Sequence, residues 1–269
     1  MNNEITLYYG AASGQQRSAL RRLEPEGVMI SHATANNKPW EGNHKLFVDS
    51  GGYHHMISGA GEYDDSDEEY LQYLLKHRPH LYALRDYPCE PDLLDKLGRS
   101  VRNQQRRTTD HHAALLNQVR GHSLAENAVS VLQGWTQRDY LVHLDDLRDR
   151  DCLTSHVAIG SVCRRGYDEE IASIITRIRD ELPPKHTLHA FGIKSGALRF
   201  EEVVDALDSV DSAAYDYSES RVPNERTTDS FTWRDSARAY LNWRHDLQMK
   251  LGTETLAGGA SQQRLIKVE

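Results

Sequence analysis

Cysteine is nearly missing from this 269-residue sequence, which carries only Cys89, Cys152 and Cys163. Three scattered thiols exclude a disulfide framework and fit a reducing, cytoplasmic setting. Long apolar runs are missing too: none approaches the roughly 20 residues that cross a bilayer, so no membrane partner is expected. Met1 to Tyr9 lacks the basic-then-apolar order of a signal peptide. Lysine is scarce beside arginine, and 32 Lys and Arg stand against 40 Asp and Glu, for a net charge of −8. That excludes a uniformly basic nucleic-acid binder and leaves such binding to local patches. No His, Cys and carboxylate set has the spacing of a known metal site. The doublets His54-His55 and His111-His112 send adjacent side chains in different directions, so no metal site is expected.

What the sequence does have is 38% hydrophobic and 27% charged residues, enough for a globular core. Short apolar runs with β-rich composition recur along it: Ile5–Tyr9, Val28–Ser31, Leu46–Asp49, Leu81–Arg85, Ala128–Leu132, His156–Gly160, Thr187–Phe191 and Ala213–Tyr217. Stretches of helical period separate them, at Glu68–His77, Thr109–Val119, Asp139–Leu147, Asp168–Leu182, Phe200–Leu207 and Ser236–Met249. Strands alternating with helices predict a parallel sheet with crossover helices, and eight strands predict closure into a (β/α)8 TIM barrel. An open doubly wound sheet has the same pattern. The expected organisation is one barrel over 1–251 and a flexible C-terminal tail over 252–269.

In a parallel barrel the functional groups sit at the C-terminal strand ends. Here those ends are polar or glycine-rich. One reads Asp49-Ser50-Gly51-Gly52-Tyr53, a carboxylate followed by two glycines that let a ligand approach the backbone. Others end in Asp86, in Gln133-Gly134, in Gly160-Ser161, in Phe191-Gly192 and in Tyr215-Asp216-Tyr217. Three strand-end carboxylates with an amide and glycines between them describe a pocket for a polar planar ligand. Each group also has a plainer reading. A strand-end Asp often caps a helix, and Asp86 precedes a Tyr-Pro turn. Tyr53 and Phe191 are also ordinary core aromatics, Gln133 a loop amide, and Gly134 and Gly160 turn glycines.

The order of these motifs, from Leu46 to Arg226, resembles the tRNA-guanine transglycosylase superfamily. The resemblance implies an enzyme, a pentosyltransferase that exchanges a guanine base through a covalent Asp–sugar intermediate. On that basis Asp216 matches the nucleophile and Asp49 the carboxylate that handles the base proton. Asp86 and Gln133 match residues that read the base edge. Ser50, Gly51, Gly52, Gly134, Gly160, Ser161 and Gly192 line the substrate pocket, and Tyr53 and Phe191 stack the purine. No cofactor is implied.

Three features depart from the tRNA enzymes. No cysteine follows Asp216, so their usual zinc site is not expected. Ser218-Glu219-Ser220-Arg221 stands where they carry Pro-Thr-Arg, and no RNA-binding domain is appended. In these respects the chain is similar to the DpdA-type DNA 7-deazaguanine transglycosylases. The expected partners are therefore DNA and a 7-deazaguanine base, with tRNA as the alternative. Such an enzyme acts in the cytoplasm, including a host cytoplasm where the protein is virus-encoded. Homodimers and accessory subunits are both compatible with the sequence. A non-catalytic nucleic-acid-binding subunit is the competing class, against which the presence of both Asp49 and Asp216 argues. A basic run containing Arg99, Arg102, Arg106 and Arg107, with Arg164, Arg165, Arg221 and Arg226 as companions, reads either as a phosphate-tracking rim or as a solvated helix face.

Overall fold

In the computed structural model, eight parallel strands close into a barrel: β1 (Thr6–Gly10), β2 (Gly27–Ser31), β3 (Lys45–Asp49), β4 (Leu81–Ala83), β5 (Ala128–Leu132), β6 (His156–Ile159), β7 (Thr187–Ala190) and β8 (Ser209–Ser212). The structure describes residues 5–34, 39–42, 44–58, 61–163, 165, 168–193, 196–215 and 231–251. Strands pair in chain order, and β8 closes the ring on β1, with Leu7 beside Val210 and Tyr8 beside Asp211. This is a (β/α)8 barrel, as the alternation implies. The expected tail, 252–269, lies outside the described residues.

Around the barrel run α1 (Gly14–Leu23), α2 (Gly52–Ser58), α3 (Asp67–His77), α4 (Pro91–Leu97), α5 (Val101–Val119), α6 (Gln137–Asp149), α7 (Asp168–Glu181), α8 (Glu201–Ala206) and α9 (Trp233–Leu251). Several starts are written in the sequence. Ser13 with Gln16, Ser66 with Glu69, and Thr136 with Asp139 form capping boxes that satisfy first-turn N–H groups. Helix α7 places Ile171, Ile174, Ile175 and Ile178 on one buried face, each side chain contributing about 1.5–3 kcal/mol of transfer free energy. These faces pack against the outward side chains of the strands in one continuous core.

Strand alternation sends every second side chain inward. The middle of the barrel is filled by Tyr8, Met29, Phe47, Ala83, Val129, Val131 and Ala158, a second and separate cluster. Two residues further along their strands stand Ser31, Asp49, Gln133 and Gly160, at the C-terminal mouth. The middle layer is therefore a plug, and the polar layer above it is the floor of the mouth.

One expected strand is displaced. The aromatic run Ala213–Tyr217 suggested the eighth strand, but β8 is Ser209–Ser212. Tyr215 lies beyond it, buried against Tyr9 and Tyr240, with its hydroxyl donating to the Gly10 carbonyl at 2.7 Å. The reason is that β8 faces a polar interior: Ser209 and Asp211 alternate with the single apolar Val210, so hydrophobicity does not reveal it.

Candidate active site

Asp49 ends β3, and its carboxylate accepts from the Gly51 N–H at 3.2 Å and from the Ser31 side chain. Enclosure raises its pKa to about 6, helped by the negative charge of Asp211 across the mouth. Gly51 has φ +81, and a Cβ there would fall 2.5 Å from the Ala33 Cβ. A Cβ on Gly52 would fall 2.6 Å from the Asp86 carbonyl oxygen. Gly51 thus lets the loop after β3 fold tightly against the segment after β2, and Gly52 lets it fold against the segment after β4 that carries Asp86.

Asp86 is buried within a hydrogen-bond network. Ser50 Oγ donates to its Oδ1 at 2.8 Å, and the Gln133 amide donates to Oδ2. Tyr63 clamps the same residue through the main chain: its hydroxyl donates to the Asp86 carbonyl at 2.9 Å and accepts from the Asp86 N–H at 3.1 Å. Burial, then the charge of Asp49, push the Asp86 pKa up to about 7, against the opposing pull of Ser50 and Gln133. Gln133 is held from its other end by Ser161, whose Oγ lies 2.7 Å from Gln133 Oε1 and 2.9 Å from Glu90 Oε2. Gly160 leaves room for this amide, since a Cβ there would lie 2.3 Å from Gln133 Nε2. Gly134 serves packing instead, with its hydrogen facing Asp139 and Tyr140 at the start of α6.

Asp211 is the carboxylate that sequence reading missed. It lies on β8 with its side chain 15% exposed. Its Oδ1 accepts from the Gly192 N–H at 2.7 Å and lies 3.2 Å from His189 Nε2. His189 in turn has Nδ1 2.9 Å from Ser209 Oγ, so one ring nitrogen is fixed by each neighbour. Both contacts of Asp211 use Oδ1, which leaves Oδ2 for an incoming atom. The signal was available in the alternation Ser209, Asp211 inward and Val210 outward, read against its neighbour His189.

The other expected residues divide. Phe191 follows β7 at the mouth, 5.7 Å from Phe47 and 4.8 Å from His189 between ring centroids. Tyr53 packs sideways with Met56, Tyr87 and Leu93. Asp216, Arg164 and Arg221, as well as Arg226, lie outside the described residues. The basic run is not a rim loop but the first turns of α5. There Arg102 is ion-paired with Asp146 and Arg107 with Glu62, while Arg106 is exposed. Arg165 is buried, its guanidinium 4.0 Å over the Trp135 ring and its Nε donating to the Ser161 carbonyl at 3.1 Å. That placement buttresses the loop carrying Ser161.

The family model described as "DpdA: DeoxyPurine in DNA protein A" matches residues 33–256, more than half of the chain. The chain belongs to the DpdA family. The match spans the strands carrying Asp49, Gln133, Gly160 and Asp211. DpdA membership makes DNA the relevant nucleic acid and guanine modification by a transglycosylase the relevant activity. No curated protein matches the chain. Among the described residues no helix is long and apolar enough to cross a membrane.

Proposed function

We propose that this DpdA protein replaces a guanine in DNA with a 7-deazaguanine derivative by double displacement at C1′, with Asp211 as nucleophile and Asp49 as proton carrier. One observation carries the reading: Asp49 at the end of β3 and Asp211 on β8 both stand at the C-terminal mouth, Asp211 with Gly192 N–H and His189 Nε2 on a single carboxylate oxygen. A nucleophile must be ionised while a proton carrier must change state near neutral pH. Two N–H donors, Gly192 and His189, suit Asp211 to the first task, and a pKa of about 6 suits Asp49 to the second.

The target nucleotide is flipped from the stack so that C1′ reaches the mouth. Asp211 Oδ2 forms a bond to C1′ as the C1′–N9 bond breaks. The bonding pair leaves with guanine, which takes a proton from protonated Asp49. The incoming 7-deazaguanine gives its N9 proton to the Asp49 carboxylate and its nitrogen attacks C1′, and the ester bond to Asp211 breaks. Two inversions retain the configuration. Asp86, Ser50 and Gln133 form the edge that reads the base, with Phe191 against its face. Asp86 with a pKa of about 7 can accept from the purine N1–H and amine when ionised.

The test is exchange of labelled guanine into DNA and into tRNA, together with denaturing gels for a covalent adduct. Asp211→Asn is expected to abolish both exchange and adduct, while Asp216→Asn retains them. If Asp216→Asn alone removes the adduct, the nucleophile is Asp216 as the sequence resemblance implied. If the wild type neither exchanges a base nor forms an adduct, the non-catalytic subunit is the better reading.

A further inference from the structure

Beside the mouth, two loops and a helix bring together side chains that the base-exchange chemistry does not use. His32 follows β2, His55 lies in α2, and Asp65 precedes α3. One ligand atom from each falls within 4.8 Å of the other two, the one such group of three among the described residues. We propose that His32, His55 and Asp65 bind one divalent transition-metal ion, for which zinc is the best match, and that this ion braces the loops around the base pocket. The inference does not rest on the transglycosylase reading.

The spacing suits an ion better than hydrogen bonds. His32 Nε2 lies 3.6 Å from Asp65 Oδ2, too long for a good hydrogen bond. It is close to the ~3.3–3.5 Å edge separating two ligands that each sit about 2.0–2.1 Å from a tetrahedral ion. His55 is only 6% exposed, and its buried Nε2 has no hydrogen-bond partner. Buried polar atoms normally find partners, so this one is unexplained by the protein alone. His55 Nδ1 lies 3.6 Å from Asp64 Oδ2 and 3.5 Å from the Asp64 backbone nitrogen, both longer than a good hydrogen bond.

The surrounding charges agree with the geometry. Arg85 occupies Asp65 Oδ1 at 2.8 Å and Asp67 Oδ1 at 3.3 Å, leaving Asp65 Oδ2 toward His32. Its single positive charge is outnumbered by the carboxylates of Asp64, Asp65, Asp67, Glu68 and Glu69. His32 and Asp65 also line a surface groove with Glu68, Glu69 and Lys76, where three carboxylates outnumber the one lysine along the path of an entering cation. Two imidazoles and one carboxylate select a zinc-like ion over the oxygen-loving Mg²⁺ and Ca²⁺. The ion would reach the pocket through packing: the His55 ring lies 4.8 Å from that of Tyr63, whose hydroxyl holds both Ser50 and Asp86.

The experiment reads metal content rather than activity. The full chain is stripped with EDTA, given one equivalent of zinc, desalted and analysed. Wild type and His54→Gln, which alters an exposed neighbour outside the cluster, are expected to retain about one ion per chain, and His32→Gln, His55→Gln and Asp65→Asn about one tenth of that or less. Cobalt-loaded wild type is expected to show the strong visible bands of a four- or five-coordinate site, absent from His55→Gln. Circular dichroism checks that the variants fold. If a variant does not fold, the wild-type cobalt spectrum decides, and a weak octahedral spectrum overturns the site. Negligible zinc on wild type, or equal zinc on wild type and the three cluster variants, overturns it as well.

Discussion

The Gln133 amide nitrogen donates to the carboxylate of Asp86 from a position that exists only because residue 160 has no side chain. Gly160→Ala would place a Cβ 2.3 Å from that nitrogen. The barrel would persist, since the clash is with a side-chain end rather than backbone, but the amide would swing off Asp86. Losing one hydrogen bond to a buried carboxylate costs about 1.5–3 kcal/mol, so a roughly ten- to hundredfold rise in KM for base or DNA is expected with a smaller change in kcat. A variant with unchanged KM would show that Gln133 does not read the base.

Stability should depend on pH through Asp49 and Asp86. Both have folded pKa values raised above the ordinary carboxylate value of 3.8, to about 6 and about 7. The folded state therefore holds these protons more tightly than the unfolded chain. Their contribution is most favourable below pH 3.8 and is lost as pH rises to about 7. Asp86→Asn removes one such loss. It should raise Tm relative to wild type at pH 8 by more than at pH 5, an effect on the order of a few kcal/mol at most. A Tm difference that stays constant from pH 5 to pH 8 would contradict the raised value.

Arg85 is a further buried charge near the pocket, 1% exposed, paired with Asp65 and Asp67 and lying 4.4 Å over the Tyr63 ring. Replacing it with Leu strands two carboxylates in a partly buried site. A loss of about 3–5 kcal/mol in denaturant unfolding is expected. Asp67→Asn leaves Asp65 as partner and should cost markedly less; equal losses would mean that Arg85 acts by packing alone.

DNA affinity offers a test of the basic helix face. Arg102 and Arg107 already serve Asp146 and Glu62, and Arg106 is exposed. Changing all three to Gln should therefore lower the slope of log K against log salt by about 0.9 at most, the value of one phosphate contact on duplex DNA. A drop of about twice that or more would show that the ion pairs open to meet phosphates. No change would make the whole run a solvated face.

The barrel was legible in the sequence because its outer layer obeys simple rules. Runs such as Ala128–Leu132 are buried on both faces and mostly apolar, and α7 repeats Ile at helical spacing. The mouth was legible where glycine pairs with a polar group, as at Asp49 to Gly52 and at Gln133 with Gly160. It was illegible where the interior itself is polar. Ser209 and Asp211 broke the apolar pattern of β8, and the aromatic Tyr215 drew the strand four residues too far along. Tyr63 and His32 were missed for a different reason: their value lies in partners far along the chain, which no local pattern encodes.

The closure of the ring between β1 and β8 sets an order on synthesis. Thr6 to Tyr9 pair with Ser209 to Ser212, and Tyr215 reaches back to Gly10. Asp49 leaves the ribosome early, while Asp211 follows more than a hundred and fifty residues later. Until the last strand is released, the first has an open edge and the two carboxylates share no cavity. Pairings of such long range are slow to form and expose strand edges while they wait. A nascent chain thus has no partly assembled mouth, and Asp49 and Asp211 come to share a cavity only with the final stitch of the ring.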